Sequence, residues 1–408
     1  MLRGLTLIPL AALVLGLAPA PAQMMHDHMA MSHGAPACSE PTLACATTAT
    51  PAFGPDGALW LAWAAGGRIS VAKSLDLGRT FSPAVAVNPQ PLRLDTGPDE
   101  RPKIVVDPQG RIYVAYAIFK DNAYNGEVFY SRSVDKGASF VPPRPITNNR
   151  ESQRFEGLAL DPSGALFAAW LDKRNRVPAK QKGEAYPGAG LAFAWSRDGG
   201  VTFTHARIAH DNTCECCRLA VAFAGPGRPV IMFRNIFDGH VRDHAVITFA
   251  DAQTPGPIYR VSVDDWEIDA CPHQGPSLAV ASDGAYHAAW STSGRVRQGL
   301  FYANSHDGGR TFSPPMPIGH SDRAPSRPYV LAASGAVWLA WKEFDGKETT
   351  VNLMVSRDGG RTWSEPRAVA STDNASDHPL LVSNGDRVFL SWQTRSNGYR
   401  LIALDDKS

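Results

Sequence analysis

Cysteine and histidine residues that could bind a metal ion are concentrated in two short segments. The first is Cys214-Glu215-Cys216-Cys217-Arg218 and the second is Cys271-Pro272-His273. Thiolate and imidazole ligands together suit zinc or copper, because both ions accept sulfur and nitrogen. Two disulfides that join the segments are the alternative, and the even total of six cysteines agrees with them. The sequence leaves both interpretations open, with His273 and His378 as nitrogen ligands of the metal site.

A second metal-binding pattern lies near the N-terminus. Methionine and histidine are dense there, at Met24, Met25, His26, His28, Met29, Met31 and His33. Thioether sulfur and imidazole nitrogen together favour copper. The sequence therefore predicts a flexible leader over residues 23–45 that captures copper and ends in a small disulfide loop between Cys38 and Cys45; a disordered leader without a ligand is the alternative.

Arginine and histidine recur at one position of a repeated unit. When the units described below are aligned on their turn glycines, Arg101-Pro102, Arg327-Pro328 and His378-Pro379 fall at one register, and Arg154 and Arg218 fall near it. Guanidinium groups that converge on one opening bind carboxylates in a bidentate geometry. The pattern predicts an anion site made by Arg101, Arg218, Arg327 and His378, with Arg234 as a further candidate; ordinary exposed loop arginines are the alternative.

Acidic side chains near the same opening are candidates for catalysis. Asp172 follows Trp170-Leu171 and Glu343 follows Trp341-Lys342, so both come directly after a predicted second strand. Asp99 lies in the loop before the second unit and could donate a proton. The sequence assigns no tyrosine to the role of nucleophile, so hydrolysis is a hypothesis that these three carboxylates carry.

The elements that must position these residues form a repeat. Seven short turns contain glycine, and each turn is followed by a predicted strand that ends at an aromatic residue. The turn glycines are Gly57, Gly110, Gly164, Gly227, Gly284, Gly335 and Gly385, and the aromatics are Trp63, Tyr116, Trp170, Phe233, Trp290, Trp341 and Trp392. Regularly spaced strands with a fixed repeat predict an all-β propeller of four-stranded blades over residues 46–408. The last unit has room for three strands, and residues 38–50 are predicted to complete it.

A second repeated pattern, S-x-D-x-G-x-[ST]-[FW], occurs five times. The copies begin at Ser74, Ser133, Ser196, Ser305 and Ser356. Its carboxylate can accept backbone N–H groups within a turn, and its glycine allows positive φ, so each copy predicts a hairpin turn. The pattern resembles the Asp box, or BNR repeat, of the sialidase (neuraminidase) superfamily.

This resemblance covers nearly the whole mature chain and implies a propeller that binds an acidic sugar. Sialidases bind the sugar carboxylate with three arginines from different blades, and Arg101, Arg218 and Arg327 resemble that set. Six blades, as in sialidases, are the alternative to the seven units counted here. The first unit lacks the Arg-Ile-Pro motif of the family, and the resemblance implies exo-α-sialidase activity as an expectation only.

Composition limits the class of partner. With 40 basic and 39 acidic side chains, the chain lacks the basic excess of a nucleic-acid binder. Residues 1–22 read as a signal peptide with Arg3 at its start and a short apolar run, so we expect a periplasmic or secreted monomer without a membrane span in the mature chain.

Three functions follow from these patterns. The first is an exported propeller that binds an acidic glycan, or another small anion, in an arginine-lined axial mouth, with glycoside hydrolysis as an added expectation. The second is a periplasmic copper-handling protein that uses the leader and the cysteine cluster. The third is a propeller that binds other proteins without catalysis.

Overall fold

The computed structural model describes Cys38, residues 40–186 and residues 188–404. The architecture below is that of the unit Ser39–Ser408. The predicted signal peptide and the leader ligands Met24, Met25, His26, His28, Met29, Met31 and His33 lie outside the described residues. Cys38 and Cys45 are disulfide-bonded. Within the described ranges, no helix has the length and apolarity that a membrane crossing requires.

Seven antiparallel sheets follow one another along the chain, which confirms the predicted seven-bladed all-β propeller and excludes six blades. Blade one contains β1 (Ala49–Phe53), β2 (Leu59–Ala65), β3 (Arg68–Ser74) and β4 (Val85–Ala86). Blade two contains β5 (Leu94–Asp95), β6 (Lys103–Val106), β7 (Ile112–Phe119), β8 (Gly126–Ser133) and β9 (Arg144–Pro145). Blade three contains β10 (Gln153–Leu160), β11 (Leu166–Asp172), β12 (Ala189–Ser196) and β13 (Arg207–Thr213).

The second half of the propeller repeats this order. Blade four contains β14 (Ala220–Phe223), β15 (Pro229–Arg234), β16 (His244–Phe249) and β17 (Pro255–Arg260). Blade five contains β18 (Ser277–Val280), β19 (Tyr286–Ser293), β20 (Gln298–Ser305) and β21 (Met316–Ile318). Blade six contains β22 (Ser326–Ala333), β23 (Ala336–Phe344), β24 (Thr349–Ser356) and β25 (Arg367–Thr372), and blade seven contains β26 (Leu380–Ser383), β27 (Val388–Thr394) and β28 (Gly398–Leu404).

Helical structure is confined to connections in the described part of the chain. One short α-helix, α1 (Arg176–Gln181), lies in the long loop between β11 and β12. Three single 3₁₀ turns cover Leu43–Cys45, Asp238–His240 and Ser321–Arg323. The fold therefore positions its functional side chains almost entirely through strands and the loops between blades.

The inner strands close into a ring around one axis. β6 contacts β1 and β10, β14 contacts β10 and β18, β22 contacts β18 and β26, and β26 contacts β1. Because the inner strand of every blade touches those of both neighbours, the loops that lead into these strands meet at a common opening. This opening is where the sequence predicts the arginine site.

Closure of the last blade differs from the prediction. Blade seven has three strands, and residues 38–50 do not add a fourth. Residues 49–53 instead form the inner strand of blade one, while the preceding 3₁₀ turn lies against blade seven. The Gln393 side chain donates to the carbonyl oxygens of Leu43, at 3.3 Å, and Ala46, at 3.0 Å. The residues before β1 are therefore fastened to blade seven by side-chain hydrogen bonds rather than by a fourth strand.

The core is formed between blades. All seven aromatics predicted at the ends of second strands are buried, with Trp170, Trp290 and Trp341 at 0 % exposure. The second strands of blades one, three, four and seven are buried along their whole length. Large side chains on both faces of these strands fill the space between neighbouring blades, which stabilises the ring by apolar burial.

The five repeated turns have the same hydrogen bonds. In every copy the serine Oγ donates to the aspartate Oδ1 at 2.7 or 2.8 Å and accepts the N–H of the glycine four residues after it. Two further hydrogen bonds join the same aspartate to the following Thr or Ser. Gly200 shows why glycine is needed, since its φ is +73° and a Cβ there would lie 1.9 Å from the Tyr130 hydroxyl of the preceding blade. The predicted hairpin turns are thus present as packed structural elements.

Candidate functional site

Two irregular inner strands direct side chains toward the axis. The pairing of β10 with β11 shifts register between Arg154 and Gly157, and that of β22 with β23 shifts between Ser326 and Tyr329. Phe155 and Arg327 lie in these bulges and both have a φ of +57°. A positive φ at a residue other than glycine costs about 1–3 kcal/mol and is retained where the surrounding structure enforces it. The bulges therefore change the direction of side chains at the place where the inner strands meet.

Asp99, Arg218 and Arg327 meet at the axial opening. Asp99 lies in the loop before β6, Arg218 precedes β14, and Arg327 lies in β22, so three different blades contribute. Arg218 Nη1 donates to Asp99 Oδ1 at 2.9 Å, and Arg327 Nη1 donates to both Asp99 oxygens at 3.2 and 3.0 Å. The structure thus brings together two of the arginines that the sequence predicts, around a single carboxylate.

Arg101 lies beside this group but is occupied by the protein itself. Its guanidinium forms two hydrogen bonds with the Asp377 carboxylate, one of them from Nη1 to Oδ2 at 3.0 Å, and it also donates to the Ala49 and Pro98 carbonyls. Asp377 also accepts the Ala49 N–H at 3.1 Å and is 1 % exposed. The pair joins blades one, two and seven, so Arg101 acts as a structural clamp at the point where the ring closes.

Lys342, His378 and Tyr329 complete the opening, which we call the axial mouth together with Asp99, Arg218 and Arg327. Burial, helped by the charge of Arg327, lowers the pKa of Lys342 to about 8. Burial and then the charges of Arg327, Arg218 and Arg101 lower the pKa of His378, so its imidazole is neutral near pH 7. Burial raises the pKa of Tyr329, against the effect of Arg101 and Arg218. The mouth therefore offers cations, a neutral imidazole and a phenol.

A second group of carboxylates lies next to the axial mouth. Arg154 pairs with Asp95, with Nη2 3.1 Å from Oδ1. Glu100 is buried beside Glu156, and burial followed by the charge of Glu156 raises the pKa of Glu100 far above its usual range. Two adjacent buried carboxyl groups cannot both ionise at low cost, which favours the protonated form of Glu100. Lys103 Nζ lies 3.8 Å from Glu156 Oε1 and adds a positive charge beside the pair.

Asp172 and Glu343 lie inside blades and away from solvent. Asp172 is 0 % exposed and accepts the Trp170 indole N–H at 3.0 Å, and its other partners are Asn149 and Arg174. Glu343 accepts the Trp341 indole N–H at 2.8 Å and the backbone N–H of His320 at 3.0 Å. These contacts give both carboxylates a structural role as acceptors for buried indoles.

Arg234 is also engaged in the interior. It is 1 % exposed and donates to the carbonyl oxygens of Arg242, Gln274 and Ser291 at 2.7–3.1 Å. Its guanidinium carbon lies 4.5 Å from the centroid of the Trp266 ring. Of the predicted anion-binding arginines, Arg218 and Arg327 have the more exposed side chains, at 18 % and 26 %.

The cysteines of the first predicted metal segment form one buried cluster. Cys214 Sγ lies 3.5 Å from Cys216 Sγ and 3.8 Å from Cys217 Sγ. These distances exceed the S–S bond of about 2.05 Å, and Cys214, Cys216, Cys217 and Cys271 are free thiols in the structure. The alternative of two disulfides between the segments is therefore not realised, because three sulfurs gather within one loop.

His273 contributes to the axial mouth through its backbone. Its carbonyl oxygen accepts a hydrogen bond from Arg327 Nη1, and its ring centroid lies 6.3 Å from that of Phe155. Its φ of +48° makes it the third residue, with Phe155 and Arg327, in the left-handed region near this opening. Among the described residues, the clustered metal-ligand atoms are those of Cys214, Cys216 and Cys217.

A surface pocket of about 240 Å³ lies between blades four and five, apart from this site. Its charged lining residues include Asp265 and Arg295, which pair with each other at 3.2 Å. Arg260 adds a second contact to Asp265 at 3.1 Å. The Asp265 carboxylate of this pocket is thus already paired with two arginines.

Sequence reasoning missed three residues of the site. Tyr329 follows Arg327-Pro328 directly, and Lys342 and Asp377 each precede a residue that the sequence singled out. The Arg-Pro and His-Pro pairs share one position of the repeat, and the residue after Arg327-Pro328 could have been considered as part of the site for that reason. Asp377 could be recognised only from its pairing with Arg101, 276 residues away.

Comparisons with known proteins agree with the fold. No family model matches the chain, and no curated protein sequence matches it. The chain is similar to a PL25 polysaccharide lyase, an ulvan lyase bound to -[GlcA(1-4)Rha3S]-, with a TM-score of 0.57 and 12 % identity over 86 % of this chain and 92 % of that one. A protein of unknown function from Dyadobacter fermentans gives a TM-score of 0.52 and 15 % identity, over 76 % of this chain and 95 % of that one. Another polysaccharide lyase gives 0.53 and 9 % identity over 85 % and 88 %. At these identities the likeness shows a shared propeller fold.

Proposed function

We propose that the axial mouth binds the carboxylate of an acidic sugar. The observation that carries this proposal is the Asp99 carboxylate held between Arg218 and Arg327. Because a protein carboxylate already accepts hydrogen bonds from both guanidinium groups, the same geometry suits a carboxylate on a ligand. Each arginine uses Nη1 alone for side-chain hydrogen bonds to described residues, which leaves its other N–H groups for a ligand.

Charge balance supports an anionic ligand. Four cationic side chains, Arg101, Arg218, Arg327 and Lys342, surround two carboxylates, Asp99 and Asp377. The excess positive charge lies in a partly buried opening, where electrostatic attraction is stronger than in water. A single carboxylate entering this opening lowers that excess.

Two sources of the carboxylate fit this chemistry. The resemblance to sialidases suggests a sialic acid, whereas the likeness to a lyase bound to a GlcA-containing disaccharide suggests a uronic acid in a polysaccharide. Both ligands present a carboxylate on a sugar ring. Tyr329 and His378 are the groups that could transfer a proton to or from such a ligand, because Asp99 and Asp377 are committed to ion pairs.

The test is a panel of soluble glycans that contain glucuronate, sialate or no acid. Binding is measured by calorimetry, and turnover is measured both as new reducing ends and as the ultraviolet absorbance of unsaturated products. We expect binding to one acidic class and loss of it in the double variant Arg218→Gln/Arg327→Gln. Arg310→Gln is the matched control, since Arg310 is exposed on an outer turn. Acidic glycans that bind the double variant as tightly as the wild type would overturn the proposal.

A further inference from the structure

Three thiols lie together in a buried loop that the axial mouth does not use. Cys214, Cys216 and Cys217 are each 1–2 % exposed and lie between β13 and β14. Their three sulfur atoms all lie within 4.8 Å of one another. Buried thiols are common as small apolar residues, but three sulfurs at one point form the donor set of a soft metal ion.

Two buried arginines next to the sulfurs provide an independent observation. Arg242 Nη1 donates to Cys214 Sγ at 3.4 Å, and the charges of both Arg234 and Arg242 act on Cys214. Arg234 and Arg242 are 1 % and 5 % exposed. A buried charge is costly unless an opposite charge compensates it.

Carboxylates do not supply that compensation. Among the described residues Arg234 forms no ion pair; its partners are three carbonyl oxygens and the Trp266 ring. Arg242 reaches Asp269, but at 3.4 Å, and that carboxylate is 83 % exposed. The Nε atoms of both arginines are buried without a hydrogen-bond partner in the described structure. Deprotonated sulfur at Cys214, Cys216 and Cys217 would provide the missing negative charge.

We propose that Cys214, Cys216 and Cys217 bind one Cu(I) ion through three thiolates. On binding, three S–H groups release their protons to solvent, so the complex carries a net charge of about −2. This charge matches the two guanidinium groups of Arg234 and Arg242. An ion about 2.3 Å from each sulfur separates the sulfurs by roughly 4 Å in a trigonal site, and the observed 3.5 and 3.8 Å need only small adjustments.

Copper is preferred to zinc on coordination number. Structural zinc sites are almost always four-coordinate, and the described cluster contains three ligands. Cys271 interacts with Cys216 but is exposed to solvent. The three-sulfur site therefore suits an ion that accepts three soft ligands, with Cys271 outside it.

The experiment uses the full chain, reduced and kept free of oxygen, and titrates Cu(I) against a coloured copper chelator. X-ray absorption at the copper edge separates sulfur ligands from imidazole nitrogen, and comparison with the cysteine variants separates thiolates from thioethers elsewhere in the chain. We expect one ion bound by three short Cu–S bonds in the wild type. Loss of this signal is expected in Cys214→Ser/Cys217→Ser, whereas Cys271→Ser retains it. Arg242→Gln, which leaves every sulfur in place, is expected to weaken Cu(I) binding at least tenfold.

Three results would overturn the proposal. The first is wild-type protein that shows no thiolate-bound copper. The second is a site that takes zinc with four sulfurs in preference to Cu(I). The third is Cys271→Ser losing the copper signal as completely as the double variant does. The wild-type spectrum decides the matter even if the double variant fails to fold.

Discussion

The five repeated outer turns and the axial mouth of this propeller differ in how regularly their residues repeat from blade to blade. The five repeated turns lie in blades one, two, three, five and six, use one set of residues and form the same hydrogen bonds, and each has a glycine with positive φ four residues after its serine. In two of the turns Leu77 and Lys136 have positive φ as well. At the mouth, side chains of several types come from blades two, four, six and seven, and near it positive φ falls on Phe155, His273 and Arg327. The repeat therefore keeps the scaffold constant, and in our proposal the departures from it at the mouth serve ligand binding.

Two layers of ion pairs lie where the inner strands meet: the structural layer of Arg101 and Asp377, and beside it the axial mouth. Arg101 and Asp377 are 7 % and 1 % exposed and fasten the ring where its ends meet. Arg218 and Arg327 are more exposed and share a single carboxylate, Asp99. Similar side chains thus serve stability in one layer and, in our proposal, ligand binding in the other.

The largest effect is expected from breaking the structural layer. Asp377→Asn leaves the buried Arg101 guanidinium without its counter-charge, and breaking such a pair costs about 3–5 kcal/mol. Urea denaturation is expected to show this loss in the free energy of unfolding. The control is Asp99→Asn, whose partners are partly exposed; if both variants lose the same stability, the two layers do not differ.

A smaller loss is expected at the outer turns. Ser305→Ala removes the donor to Asp307 and the acceptor for the Gly309 N–H. Losing two hydrogen bonds of a buried serine is expected to cost about 1–2 kcal/mol. Ser356→Ala, in the equivalent turn of the next blade, is expected to cost the same within experimental error in urea denaturation. Unequal losses would show that the repeated turns are not interchangeable.

Removing the internal carboxylate is expected to strengthen ligand binding. In Asp99→Asn, Arg218 and Arg327 have no protein carboxylate to compete with a ligand, so the Kd for an acidic sugar is expected to fall roughly tenfold, or about 1.4 kcal/mol. Calorimetry measures the change, and Asp283→Asn, on an exposed turn, controls for net charge. Weaker binding in Asp99→Asn would mean that Asp99 holds the arginines in place rather than occupying their site.

The smallest expected effect is a dependence of binding on pH. Lys342 has a pKa lowered to about 8, so its positive charge is present below that pH and is lost as pH rises through it. Affinity for an anion is therefore expected to weaken a few-fold between about pH 7 and pH 9. Arg327 and Asp377 are the charged groups that act on Lys342. Lys342→Arg keeps its charge, so an unchanged pH dependence in that variant would contradict this assignment.

Much of the fold could be predicted from the sequence. Turn glycines and strand-closing aromatics fixed the number of blades, because each aromatic must be buried between neighbours. Closure could not be predicted, since whether residues 38–50 extend or turn depends on contacts with Gln393 at the far end of the chain. Aligning the repeats on their turn glycines identified Arg218 and Arg327. This works because residues at the same position of each repeat lie at the same level along the propeller axis.

The catalytic candidates illustrate where sequence reasoning stopped. Asp172 and Glu343 follow a buried tryptophan by two residues, and strand periodicity puts residues i and i+2 on the same face. Both carboxylates therefore point with Trp170 and Trp341 into the blade, a conclusion that the sequence contained. Which arginine is occupied by the protein could not be deduced, because the partner of Arg101 is distant in sequence.

The most direct test of the central claim compares one oligosaccharide in two forms. Calorimetry measures the Kd of a glucuronate-containing oligosaccharide and of the same oligosaccharide after its carboxylates have been reduced to alcohols. We predict that the acidic form binds at least roughly tenfold more tightly, and that this difference disappears in Arg218→Gln/Arg327→Gln but persists in Arg310→Gln. A sialylated oligosaccharide and its reduced form provide the second arm. If both acidic forms bind no better than their neutral counterparts, the axial mouth is not a carboxylate site.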